Sequence, residues 1–210
     1  MARDIRTSRR SFLGISAGMP IALALGATPA RMGQAQPLRP TPACADDADP
    51  TPRQTAGPFF KPESPRRASL LEPGITGTKI VVTGVVLSTD CKPVARALVD
   101  FWHADDKGNY DNAGYKLRGH QFSDDHGRYR LESIVPGLYP GRARHFHVKV
   151  QAPNRPVLTT QLYFPGEPGN QRDSIFNPVL VMKVQDVAEG KAATFDFVLD
   201  LAGQGRSGRG

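Results

Sequence analysis

Two histidines that are separated by a single residue carry the clearest chemical signal in the sequence. His145 and His147 stand in the run His-Phe-His-Val-Lys-Val, whose alternation is typical of a β-strand. Residues i and i+2 of a strand point to the same face, so both imidazoles can bind one metal ion. The alternative is a pair of strand histidines that face solvent. The surrounding sequence favours a metal site, because all five histidines and all five tyrosines fall between His103 and Tyr163.

Two tyrosines in predicted loops are the candidates to complete this site. Tyr139 lies in a Pro-Gly-Leu-Tyr-Pro turn six residues before His145, and Tyr110 follows Trp102 by eight residues. A free phenol has a pKa of about 10, so ionising it near neutrality requires a strong cation. Two tyrosinates and two imidazoles would form a hard, partly anionic site that suits Fe(III).

Other metal sites are less consistent with this pattern. Catalytic zinc is usually bound by three histidines, or by histidine with a carboxylate or cysteine. A non-haem Fe(II) oxygenase uses two histidines and one carboxylate. The second option stays open, because His103, Asp105 and Asp106 are close to this region in sequence.

The elements that must position these residues are predicted to be short strands. No convincing amphipathic helix is present, and turn signals separate the apolar runs, which together predict an all-β fold, an antiparallel β-sandwich. The predicted strands cover residues 79–87, 97–103, 127–134, 145–151, 159–164 and 193–199, and a further short apolar run lies within 177–187.

Length and charge exclude several classes of protein. At 210 residues and 39% hydrophobic content, the chain can bury one good core. The formal net charge is +7, but residues 1–35 contain five arginines and one aspartate, and the remainder is close to balanced. No basic stripe with interleaved aromatic residues is found, so a nucleic-acid partner is not predicted.

The N-terminus resembles an export signal. Ser8-Arg-Arg-Ser-Phe-Leu13 precedes a short apolar run, as in twin-arginine signals, which direct folded proteins out of the cytoplasm. A membrane anchor is the alternative, although Gly14, Gly18 and Pro20 interrupt the apolar run. We therefore expect a periplasmic or secreted protein without a stable membrane span after signal cleavage. The predicted organisation is a signal peptide (1–35), an extended arm (36–54), a β-sandwich domain (55–202) and a disordered tail (203–210).

The two cysteines, Cys44 and Cys91, both follow the predicted signal. In an oxidising compartment they can form a disulfide that ties the arm to the first strands. The sequence alone does not establish that they are close in space.

Six segments of the chain, in order, resemble the intradiol ring-cleavage dioxygenases, which include catechol, hydroxyquinol and protocatechuate 3,4-dioxygenases. The Trp-to-Tyr spacing and the Arg-x-x-His-x-His spacing both fit that family. The matching segments are Thr55–Phe60, Asp100–Tyr110, Asp124–Arg130, Pro136–Pro140, Arg142–His147 and Leu158–Pro165.

The resemblance implies a role for each matching residue. Tyr110, Tyr139, His145 and His147 match the four ligands of a non-haem Fe(III), with Tyr139 and His145 as the axial pair. Arg142 matches the guanidinium that lies over the substrate ring, and Gln161 a glutamine near that arginine. The reaction implied is cleavage of a catechol between its hydroxylated carbons with O₂, giving a cis,cis-muconate-type product.

Several points stay open after the resemblance. Tyr115 is a rival for Tyr110, Arg144 has no firm role, and Tyr129 and Tyr163 are expected to pack in the core. The turn between Tyr139 and His145 is shorter than in better-known members, so the substrate is not fixed beyond a catechol. The helical segment by which catechol 1,2-dioxygenases dimerise has no counterpart before Thr55, and a homo-oligomer is left open. A prealbumin-like binding module without catalysis is the alternative function.

Overall fold

Two β-sheets pack face to face in the computed structural model, which describes residues 48–201. Every described residue belongs to one compact unit. The strands are β1 (Lys79–Ser88), β2 (Leu98–Trp102), β3 (Arg118–Phe122), β4 (Arg128–Ile134), β5 (His145–Gln151), β6 (Leu158–Tyr163), β7 (Lys183–Val187), β8 (Gly190–Thr194) and β9 (Phe197–Leu199), and a single 3-10 helix covers Pro178–Leu180 among the residues described.

The candidate site lies on the four-stranded sheet, called the second sheet below. Its strand order is β3-β2-β5-β6, so the histidine strand β5 lies between β2 and β6. All of its neighbours pair antiparallel. A central strand is hydrogen-bonded on both edges, which fixes its register and the direction of every side chain. The two histidines therefore sit on a rigid element.

The first sheet has the order β4-β1-β8-β7, and β9 also pairs with β1. The pairs β1–β8 and β1–β9 are parallel, so these two pairs differ from the predicted antiparallel arrangement. The ten-residue β1 is long enough to pair with β8 along its first half and with β9 near its end. The all-β sandwich itself is confirmed.

The predicted strand 193–199 is divided in two by a side chain. The backbone N–H of Val85 donates to Asp196 Oδ1 at 2.8 Å, so a carboxylate replaces a backbone carbonyl in the ladder. Phe195 N still donates to Thr83 O at 3.0 Å. The chain therefore leaves and rejoins the edge of β1 within three residues.

The core lies between the two sheets, and alternation on their strands accounts for it. Ile80, Val82 and Val86 point inward from β1, and they pack in one cluster with residues such as Phe101 and Val148 of the other sheet. All five are nearly or fully buried. Removing a buried branched side chain from such a cluster commonly costs about 2–5 kcal/mol.

The N-terminal arm is fixed to both sheets where the structure describes it. Thr51 N donates to Val198 O at 2.9 Å, and Gln54 N donates to Thr159 O at 2.7 Å. Thr160 Oγ1 donates to Pro52 O at 2.7 Å. These bonds lead the chain along β6 toward the histidines.

Some predictions fall outside the described residues. They concern the signal 1–35, the first part of the arm, the tail 203–210 and Cys44. Cys91 is disulfide-bonded. No helix between residues 48 and 201 is long and apolar enough to cross a membrane.

Candidate metal centre and active site

Three of the four predicted ligands converge on one point. The Nε2 atoms of His145 and His147 lie 3.1 Å apart. The Oη atom of Tyr110 lies 3.4 Å from His145 Nε2. Strand β5 supplies both imidazoles, and the loop that follows β2 supplies the phenol, so the site forms where β2 ends and the antiparallel β5 begins.

The neighbouring strands hold the two histidines in a dry environment. His145 is 4% exposed and His147 is 2% exposed. Trp102 of β2 is paired with His147 in the ladder, and its ring stacks on the imidazole at 4.9 Å and 3°. On the other edge, Gln161 of β6 is the ladder partner of His147. Imidazoles fixed in this way need little reorganisation to bind a metal ion.

The protonation of the histidines suits metal binding. His145 Nδ1 donates to Ala143 O at 2.6 Å, which leaves a lone pair on the Nε2 of the neutral ring. Burial lowers the pKa of His145 to about 4 and holds the pKa of His147 well below its usual range. Both rings are therefore neutral near pH 7, which is the form that binds metals. The buried Nδ1 of His147 has no hydrogen-bond partner within residues 48–201.

Tyr110 needs a cation in order to ionise. Its ring stacks on Phe59 with centroids 4.5 Å apart. Burial raises the pKa of Tyr110 to about 12, although the positive charges of Arg142 and Arg118 oppose this shift. A phenol with such a pKa becomes a ligand at neutral pH only beside a highly charged metal ion. This behaviour fits Fe(III).

Tyr139 joins the same aromatic cluster from the far side. Its ring meets Phe59 edge-on at 5.4 Å and Tyr110 edge-on at 5.9 Å. It is partly exposed, in the turn before β5. The structure thus brings all four predicted ligands into one cluster, and the ligand role of Tyr139 stays a prediction.

The donor types present agree with a phenol-rich site. Within residues 48–201, no group of three His, Cys, Asp or Glu side chains is placed to hold a metal. A zinc or Fe(II) site of the usual composition would need such a group. The donors that meet here are two imidazole nitrogens and a phenol oxygen, and these fit the ferric ion that the resemblance implies.

Arg142 is held beside this cluster by two partners. Its Nε donates to Asp173 Oδ2 at 2.9 Å, and its Nη2 donates to Gln161 Oε1 at 2.7 Å. Gln161 in turn donates from Nε2 to Thr55 O at 3.0 Å, which joins the arm to the site. The structure therefore places Gln161 next to Arg142, where the resemblance implied it.

Asp173 is the residue of this group that the sequence did not reveal. Its side chain is 1% exposed and accepts from the backbone N–H groups of Ala143 and Ile175. Burial alone would raise the pKa of Asp173, but these bonds and Arg142 outweigh it and lower that pKa. The residue lies in an irregular stretch between β6 and the 3-10 helix. No periodicity or spacing marks it there.

A cleft of about 500 Å³ opens beside Tyr139 and Arg142. Leu138, Pro140 and Pro168 supply an apolar wall. Small aromatic ligands commonly bind in clefts of this size that combine apolar walls with a few polar groups. The cleft therefore borders Arg142 and one member of the aromatic cluster, Tyr139.

Other candidates raised by the sequence have different partners. Tyr115 donates its hydroxyl to Pro62 O at 3.0 Å. His103 lies between Ala104 O and Ser133 Oγ, each at 2.7 Å, and so links the two sheets. Asp105 Oδ1 accepts from the backbone of its own loop. These contacts assign structural roles to the rival groups.

The remaining tyrosines and Arg144 also have structural contacts. Tyr129 and Tyr163 are buried, as predicted, and Tyr129 donates to Phe195 O at 2.8 Å. Tyr163 donates to Gln54 Oε1 at 2.8 Å and so helps to anchor the arm. Arg144 pairs with Glu167 at 2.8 Å.

Comparison with known proteins gives consistent matches. A family model described as Dioxygenase matches residues 56–201. The dioxygenase domain of a dioxygenase and carbohydrate-binding protein fusion from Streptomyces sp. SirexAA-E is 56% identical, with a TM-score of 0.72 over 73% of this chain and 100% of that one.

Curated relatives carry more specific names. Hydroxyquinol 1,2-dioxygenase of Nocardioides simplex is 34% identical over 152 residues, which cover 61% of this chain and 52% of the relative. Catechol 1,2-dioxygenase 2 of Acinetobacter lwoffii is 33% identical over 144 residues, which cover 56% of this chain and 52% of the relative. The chain thus spans about half the length of these curated relatives.

Proposed function

The chain belongs to the intradiol ring-cleavage dioxygenase family, and we propose that it cleaves a catechol with O₂. The bond broken is the ring bond between the two hydroxylated carbons. Both oxygen atoms enter the product, which is a cis,cis-muconate-type diacid. The observation that carries this proposal is the meeting of Tyr110 with His145 and His147 beside Arg142.

Four side chains would hold the metal: Tyr110, Tyr139, His145 and His147. When bound there, a ferric ion would act as a Lewis acid and as a template for both catechol oxygens. The two histidines supply neutral nitrogens because burial lowers the pKa of each. The two phenols supply negative charge, which lowers the net charge of a ferric site and makes the buried position tolerable.

Tyr139 is the proposed base for one of the two protons that a catechol loses on binding. It lines the cleft, and its ring contacts are with Phe59 and Tyr110. As a phenolate beside the cleft, Tyr139 Oη would be placed to accept a proton from an incoming catechol hydroxyl.

Arg142 is proposed to act on the substrate. Its guanidinium borders the cleft and is fixed by Asp173 and Gln161, so its orientation is set before substrate binds. A preorganised cation stabilises negative charge that develops on the ring during cleavage. Removing one such group commonly costs about 2.7–4 kcal/mol of transition-state stabilisation.

A direct experiment can test this function. We expect purified protein to contain one iron per chain, to be red from tyrosinate-to-Fe(III) charge transfer, and to consume O₂ with catechol, hydroxyquinol or protocatechuate. The double variant Tyr110→Phe/His147→Ala, assayed in parallel, should be colourless and inactive. Colourless wild-type protein that holds stoichiometric zinc would contradict the proposal.

The non-catalytic binding module is the weaker alternative. A module that only binds a ligand has no need for two imidazole nitrogens 3.1 Å apart with a phenol beside them. The relatives that match are dioxygenases. Both observations favour catalysis.

We further propose that the enzyme acts outside the cytoplasm. The Arg9-Arg10 pair before Phe12-Leu13 supports export of the folded protein. The disulfide at Cys91 is consistent with an oxidising compartment. A catechol substrate would then be met in the periplasm or the medium.

A further inference from the structure

Arg118 is a buried guanidinium that the proposed reaction does not use. It begins the edge strand β3 and is 1% exposed. The ion pairs among residues 48–201 do not include it. Burying a cation without an ion-pair partner is unfavourable, and an apolar side chain would fill the same space at lower cost. Its presence therefore calls for a specific contribution.

The contacts of Arg118 lead to the two segments that hold Tyr110. Its Nε and Nη2 donate to Asp111 O at 3.1 and 2.9 Å. Its Nη1 donates to Phe59 O at 2.6 Å. Asp111 directly follows Tyr110 in the chain, and the Phe59 ring stacks on the Tyr110 ring at 4.5 Å and 17°.

The planar guanidinium suits this arrangement. Its donors point in fixed directions, so one side chain can hold two carbonyl groups at a set separation. The carbonyls belong to the segment before β1 and to the loop after β2, and Phe59 and Asp111 are 52 residues apart in sequence. Arg118 therefore holds the backbone next to Tyr110 through Asp111 O and the backbone of the stacked Phe59 through Phe59 O.

The backbone of Arg118 is itself anchored. Arg67 Nε donates to Arg118 O at 3.0 Å, and Arg67 also donates to Tyr115 O in the same loop. Lys61 donates to Ala113 O and Gly114 O at 2.9 and 3.0 Å. The loop after Tyr110 is thus held by cations that bind its carbonyls.

We propose that Arg118 is a positioning residue for the metal ligand Tyr110. By binding Asp111 O and Phe59 O, it keeps the phenol ring stacked on Phe59 and its oxygen directed at the two imidazoles. The inference rests on the proposed function, because it takes Tyr110 to be a ligand. Residues that orient metal ligands in this way typically change metal affinity by about 10–100-fold when they are replaced.

Arg118→Lys tests the proposal, because lysine keeps the charge and loses the planar set of donors. We expect Fe(III) affinity, measured by competition with a chelator, to fall about 10-fold or more. The tyrosinate-to-Fe(III) band should shift and weaken in the protein that remains loaded. Arg128→Lys is the matched control, since Arg128 is exposed and pairs with Asp124. It should leave affinity and band unchanged.

A second comparison separates positioning from general destabilisation. Val82→Ala lowers stability through a buried core side chain of β1, which belongs to the sheet that does not carry the site. It should reduce the thermal midpoint without moving the band. In a Tyr110→Phe background, Arg118→Lys should cause no further loss of Fe(III) affinity, because the residue acts through that phenol.

The outcomes distinguish this inference from the proposed function. Wild-type protein that binds no Fe(III) would defeat the function itself, whatever Arg118 does. A red wild-type protein and an equally red Arg118→Lys variant of unchanged affinity would overturn the positioning role alone. If Arg118→Lys does not fold, Phe59→Leu replaces it, since this change removes the stacked ring and keeps Arg118. An unshifted band in Phe59→Leu would then overturn the proposal.

Discussion

Burial acts in opposite directions on the two kinds of proposed ligand that meet where β5 begins. It lowers the pKa values of His145 and His147, which leaves both imidazoles neutral and ready to bind. It raises the pKa of Tyr110 to about 12, which keeps the phenol protonated until a cation displaces the proton. The site therefore favours a metal ion that is acidic enough to ionise a buried phenol.

Replacing Tyr110 with Phe should separate this phenol from the rest of the site. The variant keeps the aromatic ring that stacks on Phe59 and removes the oxygen that lies 3.4 Å from His145 Nε2. We expect lower iron content and a weaker visible band, with the remaining band due to Tyr139. Iron analysis and absorption spectra test this. Tyr115→Phe is the control, and full iron and colour in Tyr110→Phe would refute the ligand assignment.

Asp173→Asn should affect the substrate end of the site and spare the metal. The carboxylate holds Arg142 and the Ala143 N–H, and an amide can satisfy only part of this pattern. A small misplacement of Arg142 is expected to lower kcat/KM by about 100-fold. Iron content should stay at the wild-type level.

Asp186→Asn is the control for Asp173→Asn. Asp186 lies on the largely exposed strand β7 and pairs with Lys191 of β8. That variant should match the wild type in both activity and iron. Loss of iron in Asp173→Asn would show that the carboxylate supports the fold of the metal site rather than the guanidinium.

At the level of strands, the sequence predicted what depends on local alternation. Strand β5 was expected at residues 145–151 and is found there, and β1 and β4 match their predictions within one residue. Strand β3 was missed, because Arg118-Gly-His-Gln-Phe has no apolar alternation. A buried arginine that binds carbonyls cannot be distinguished in sequence from a surface arginine.

The same limit applies to the site. His145 and His147 could be paired from their spacing and Tyr110 could be named as a candidate, whereas the role of Arg142 came from the family resemblance alone. Asp173 reaches Arg142 across 31 residues of chain through hydrogen bonds. Such contacts depend on tertiary structure, which periodicity does not encode.

The pairing of β1 with β8 and β9 requires a glycine at position 84. A Cβ atom at this position would lie 1.7 Å from Phe195 O and 3.0 Å from the Tyr129 ring. Gly84→Ala should therefore displace the chain where β8 gives way to β9. We expect a loss of about 1–3 kcal/mol, the usual range for overpacking in a dense interior.

Thermal or urea unfolding of the metal-free protein measures this effect. Gly169→Ala is a suitable control, because the nearest atom to its added Cβ would be 3.4 Å away, an ordinary contact. An unchanged unfolding midpoint in Gly84→Ala would show that the chain between β8 and β9 can move away from β1 without loss of stability.

For the whole chain, the proposed export route would link export to folding. A twin-arginine route carries folded protein, so a site assembled from β2, β5 and the arm could be complete before export. Replacing Arg9-Arg10 with Lys-Lys should keep red, folded protein in the cytoplasm. Fractionation of cells and the visible spectrum of each fraction test this. Undiminished accumulation of the variant outside the cytoplasm would contradict the proposed route.

The stability of the metal-free protein should fall with acid, because the sandwich buries histidines that must stay neutral. His103 is 1% exposed, lies between Ala104 O and Ser133 Oγ, and has its pKa lowered by burial to about 4. An unfolded histidine has a pKa of about 6.5. Between these two values the unfolded chain binds more protons than the folded one, so stability is lost as pH falls from about 6.5 to 4.

For His103 alone this difference amounts to on the order of 3 kcal/mol. Asp100 works in the opposite direction, because burial raises its pKa, so a comparison of variants is clearer than one curve. His103→Gln should unfold more easily at pH 7 but lose less further stability between pH 6.5 and 4 than the wild type. His126→Gln, at an exposed turn, should follow the wild-type curve. Equal acid slopes for His103→Gln and wild type would mean that the link between the sheets at His103 admits a proton without unfolding.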